Sequence, residues 1–75
     1  MKLSVKDPEK LKTLIWLRGE TVSGFAKEIN SSAGYVSRII AGEMHPQPPL
    51  AKRIVDGLST EKKVFSIDDI FKITE

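Results

Sequence analysis

The sequence predicts an all-α domain, four short helices and a closing helical turn, with the two ends of the chain able to pair as short strands. Three observations carry this. Apolar residues recur at helical spacing in four separate stretches. Residues suited to starting a helix precede or open these stretches. And 75 residues, 40% of them hydrophobic and 29% charged, fit one globular domain spanning residues 1–75.

Residues 1–6 (MKLSVK) alternate, with Leu3 and Val5 on one side, which reads as a short strand or an arm. Asp7-Pro8-Glu9 then starts a helix, with Asp as N-cap, Pro at the first helical position and an acid in the first turn. This first helix is expected from Pro8 to Leu17, with Leu11, Leu14 and Ile15 inward, and Arg18-Gly19 end it. Thr21 caps a second helix, Val22 to Ile29, that buries Val22, Phe25, Ala26 and Ile29. Asn30 tolerates a left-handed backbone and stops it. Ser32 caps a third helix, Ala33 to Ala41, whose inner face is Val36, Ile39 and Ile40, and Gly42 closes it.

Met44-His45-Pro46-Gln47-Pro48-Pro49 reads as a stiff loop running into the first turn of a fourth helix. That helix carries Leu50, Ile54 and Leu58 inward, with Lys52, Arg53 and Asp56 outside, and frays at Gly57-Leu58-Ser59. Residues 59–63 (STEKK) are polar and expected exposed. Ser66 to Phe71 suits one helical turn, and the alternating end Phe71-Lys72-Ile73 suits a strand pairing with residues 2–5. There is no internal repeat.

Composition narrows the function. The chain has no cysteine, so neither a disulfide nor a thiolate metal site supports its small core. No apolar run is long enough to cross a bilayer, and Met1-Lys2-Leu3 does not open a signal peptide, so a cytoplasmic location in a bacterial or infected host cell is expected. A net charge of +2 and a pI near 9.0 lean mildly towards nucleic acid. His45 is the only histidine, so no metal site is expected, and no other cofactor is. Asp68-Asp69 follow a serine cap and lack a partner base. Nucleophile, base and oxyanion groups converge nowhere, so the chain does not read as an enzyme.

The informative stretch is FAKEINSSAGYVSRIIAG, residues 25–42. Two short helices meet across INSSAG, a break too short for a flexible linker. A helix-turn-helix, residues 21–41 here, has this form: the second helix projects its start into a major groove and the first fixes its angle. Phe25, Ala26, Ile29, Val36 and Ile39 would hold the two together, with Ala26 small where they pass closest.

On Phe25-Ala26-Lys27-Glu28-Ile29, on Ser32 to Ile39 (SAGYVSRI) and on Ala41 to Pro46 (AGEMHP), the chain resembles the Cro/cI-type (XRE-like) helix-turn-helix regulators, particularly small phage and mobile-element members from Gram-positive bacteria. Leu50 to Ile54 and Ile67 to Phe71 extend the resemblance to roughly residues 10–71. It implies a compact five-helix domain whose third helix reads DNA. Ser32, Ala33, Gly34, Tyr35, Ser37 and Arg38 then lie at or near DNA-facing positions. Thr21 and Val22 lie where the family meets phosphate, and Met44 and His45 lie in the loop that often touches the backbone.

Three departures stand out. Val22 replaces a residue that is often Gln. Ala33 and Gly34 stand where long polar side chains often read bases, leaving only a methyl contact and close backbone approach. Ile15 and Ile40 occupy the places of a buried Arg–Glu pair in many relatives, and an apolar pair there is often as stable.

Several residues carry two readings. Tyr35 suits DNA or a protein interface. Trp16 reads first as a lid on the core and second as an anchor for a partner, and His45 as a free loop side chain or a phosphate contact. The expected function is therefore a small DNA-binding transcriptional regulator of phage or mobile-element type. It would occlude a promoter, binding its double-stranded operator as a homodimer or with a partner. The alternative is a protein-binding modulator, an anti-repressor or co-repressor that grips the phage repressor through the same face. An antitoxin-type autorepressor ranks third, since no toxin-binding tail is evident. No membrane or small-molecule partner is expected.

Overall fold

The computed structural model describes all 75 residues. Strand β1 (Lys2–Val5) leads into α1 (Pro8–Leu17), α2 (Val22–Glu28), α3 (Ala33–Ala41), α4 (Pro48–Leu58) and the single turn α5 (Ile67–Ile70), and the chain ends in strand β2 (Phe71–Thr74). The two strands pair antiparallel, from Lys2 opposite Thr74 to Val5 opposite Phe71. Lys6 N–H extends the ladder to Ile70 O at 2.9 Å. The alternation at both ends of the sequence thus becomes a two-stranded ribbon that fastens the termini to the helices.

Helix starts are set by local chemistry. Asp7 accepts from Lys10 N–H, Thr21 from Gly24 N–H and Ser32 from Tyr35 N–H, each satisfying a donor that the first turn leaves unpaired. Gln47 caps nothing, but α4 opens on Pro48-Pro49, where missing N–H groups cost nothing. Helix α2 stops at Glu28, one residue earlier than expected, because Asn30 adopts φ 61°. Ser31 N–H then reaches Ala26 O (2.8 Å) and Asn30 N–H reaches Lys27 O (3.1 Å), a Schellman closure. Gly42, at φ 84°, closes α3 in the same way through Glu43 N–H to Arg38 O.

One apolar core draws on every element, with Phe25, Phe71, Ile15, Ile39, Ile54 and Val36 its largest enclosed side chains, and no polar or charged side chain is buried in it. One feature differs from the sequence reading and another goes beyond it. Gly57 is no frayed end: it sits inside α4 against Ile29 and Phe25, and the helix continues to Leu58. Phe65, beyond the polar segment 59–63, turns inward and joins the core. Its N–H donates to Ser59 Oγ at 2.9 Å, while that hydroxyl donates to Val55 O at 2.8 Å, so Ser59 ties the loop to the end of α4.

Candidate nucleic-acid interface

The turn between α2 and α3 is four residues long, Ile29 to Ser32, and both of its ends are fixed by hydrogen bonds. It therefore presents the start of α3 at a set angle. Val36, Ile39 and Ile40 anchor the inner side of that helix, which leaves Ser32, Gly34, Ser37, Arg38 and Ala41 exposed on the outer side. A side chain built at Gly34 would meet nothing within 4 Å. The outer surface at the start of α3 is thus nearly bare backbone. The N–H groups of its first residues, unpaired within the helix, lie there with the positive end of the helix dipole.

Ala33 and Tyr35 are half-buried and packed against the core, so Tyr35 projects less freely than a residue at an exposed helix start. Thr21 is exposed but spends its hydroxyl on the α2 cap, and Val22 is half-buried against the core. Arg38 is exposed and makes no ion pair within the chain. Arg18, by contrast, is taken up. Its Nε lies 3.1 Å from Glu20 and its Nη2 3.4 Å from Glu28, so it braces the end of α1 against the end of α2.

Met44 is exposed in the α3–α4 loop. His45 is not a free loop side chain. Its Nδ1 lies 3.2 Å from both Ser4 Oγ and Leu3 O, which ties the loop to β1. The sequence-predicted residues on the turn and α3 therefore form one surface, whereas His45 is partly engaged by the terminal ribbon.

Trp16 is 71% exposed and Leu17, beside it, 78%, so Trp16 is no lid on the core. The two line a shallow hollow on α1 together with Glu9, Lys12 and Thr13. Away from α3, the Ser66 N–H, donating to Asp69 at 2.8 Å, holds its carboxyl below the usual range. No helix is long and apolar enough to cross a membrane.

Compared with known proteins, the chain matches no family model, no curated protein and no solved structure.

Proposed function

We propose that this chain is a small DNA-binding transcriptional regulator of the Cro/cI helix-turn-helix type, acting in the bacterial cytoplasm by occluding a promoter. The observation that carries the reading is the outer side of α3. Short polar side chains, an open backbone at Gly34 and the unpaired cation of Arg38 lie together at the start of a rigidly capped helix. A surface that carries an unpaired cation and no carboxylate suits the phosphates of a duplex. Direct base reading is limited to Tyr35, Ser37 and Arg38, so binding is mainly electrostatic, with specificity drawn from DNA shape. One such domain covers few bases, and it works as a dimer or with a partner regulator.

The test is binding to duplex DNA from the chain's own locus across a salt series, with Arg38→Ala alongside. Affinity falling steeply with salt, and further weakened in the variant, supports the reading. Salt-insensitive binding, or none, overturns it.

One observation favours the second reading, a modulator that binds another regulator. Trp16 and Leu17 stand exposed side by side, and aromatic residues of this kind anchor protein interfaces. That spot lies on α1, so it implies a protein contact outside α3.

A further inference from the structure

We infer that Lys12 is a phosphate-binding residue of this interface, supplied by α1 in place of the contact that Val22 cannot make. The inference rests on the DNA-binding reading and extends it to a helix outside the helix-turn-helix.

A surface hollow of about 250 Å³ lies where the first turns of α1, the first residue of α2 and the outer side of α3 come together. Pro8, Val22, Ile40 and Ala41 give it an apolar lining, and Ser37 and Lys12 add the polar groups. Lys12 is the only charged residue lining it, and no carboxylate does. A group occupying the hollow meets one ammonium, one hydroxyl and no negative charge, which suits an anion.

Val22 opens α2 and offers no polar side chain, yet it borders the same hollow as Lys12. The ammonium is available. Its partner Glu9 lies 3.7 Å away, with the two side chains 52% and 85% exposed, and an exposed i,i+3 pair of this kind contributes little. Swinging Lys12 from Glu9 to a phosphate therefore sacrifices little and gains the release of a condensed counterion. Ser37 borders the hollow with Lys12 and adjoins the exposed Arg38 on α3.

Lys10 provides the contrast on the same helix. It lines a different hollow, with Lys6, Asp7 and Asp69, where two carboxylates already face it.

The experiment is fluorescence anisotropy of the intact chain on a short mixed-sequence duplex over a range of NaCl concentrations. It compares wild type, Lys12→Gln, Lys10→Gln and Arg38→Ala, with thermal melts confirming that each variant folds. Lys12→Gln is expected to weaken binding about threefold at moderate salt and to make the dependence of log affinity on log salt shallower by about one. Lys10→Gln is expected to change neither. If Arg38→Ala lowers the slope and Lys12→Gln does not, Lys12 is not a contact, while the DNA reading stands. If the wild-type chain shows no salt-dependent binding to duplex DNA, the DNA reading and this inference fall together.

Discussion

Gly57 of α4 lies so close to Phe25 of α2 that a Cβ at this glycine would stand 3.1 Å from the ring edge, and 3.0 Å from a methyl of Ile29. Two effects oppose each other in Gly57→Ala. Alanine favours a helix over glycine by about 1 kcal/mol, whereas overpacking a full core costs about 1–3 kcal/mol. Phe25 is fully enclosed and has nowhere to turn, so the steric effect prevails. A net loss of about 1 kcal/mol is expected, seen as a melting temperature lower by about 5 °C. A rise would mean that Phe25 and Ile29 give way.

Ile15 and Ile40, at 0% and 3% exposure, belong to one apolar cluster in which no charge is buried. Ile15→Glu places a carboxylate there with no cation inside the core to meet it. A loss of roughly 3–5 kcal/mol is expected, enough to unfold a marginal small domain at moderate temperature. Denaturant titration checks this, and an unchanged midpoint would contradict it.

The parts of this fold that the sequence displays are those decided within a few residues. Asp7, Thr21 and Ser32 cap helices because each side chain needs only a backbone N–H three residues on. Asn30 and Gly42 stop helices through their own backbone preference. The pairing of the ends was legible because alternation recurs at both. Gly57 was misread as a frayed end and Phe65 drew no reading, because their roles depend on contacts that the local sequence does not display: Phe25 and Ile29 for one, Ser59 and the assembled core for the other. Helix α1 was half legible. It carries apolar residues on more than one side, and nothing local in Leu14-Ile15-Trp16-Leu17 says that Ile15 is enclosed while Trp16 and Leu17 face outward. The tie from His45 to Leu3 and Ser4 spans some forty residues and leaves no local signal.

Asp69 gives the fold a pH dependence of known sign. Its carboxylate accepts from Ser66 N–H at 2.8 Å and from Ser66 Oγ at 3.2 Å, and the backbone bond is the main reason its pKa is lowered, with the Ser66 hydroxyl, Lys10 and Lys6 adding to it. A carboxyl with a lower pKa folded than unfolded stabilises the fold above its unfolded value, about 3.9, and loses that contribution as pH falls through the folded one. Asp69→Asn should therefore melt below wild type at neutral pH. The gap between the two melting curves should begin to close as pH falls below about 4 and vanish once pH passes the lowered folded pKa, where wild type loses the charge and the variant has none to lose. A gap that stays constant to low pH would assign the effect to packing.

Gly34→Arg distinguishes a DNA surface from a protein surface on α3. The substitution is tolerable for folding, since a Cβ at Gly34 meets nothing within 4 Å and the residue is exposed. A long cation at this point lies among phosphates if a duplex binds there, so affinity should hold or rise, with a steeper salt dependence. A partner helix packed against the bare backbone would instead be pushed away, and co-purification with any regulator encoded at the same locus should be lost. Trp16→Ala supplies the complementary arm. The side chain packs little against its own domain, so stability should change by less than about 0.5 kcal/mol. If a regulator docks on α1, this variant loses it and keeps DNA binding. If DNA binding survives Gly34→Arg while the partner is lost only with Trp16→Ala, the chain has two working surfaces, α3 for a duplex and α1 for a protein. If neither activity responds to Gly34→Arg or to Tyr35→Ala, α3 is not the working surface, and the proposed function fails with it.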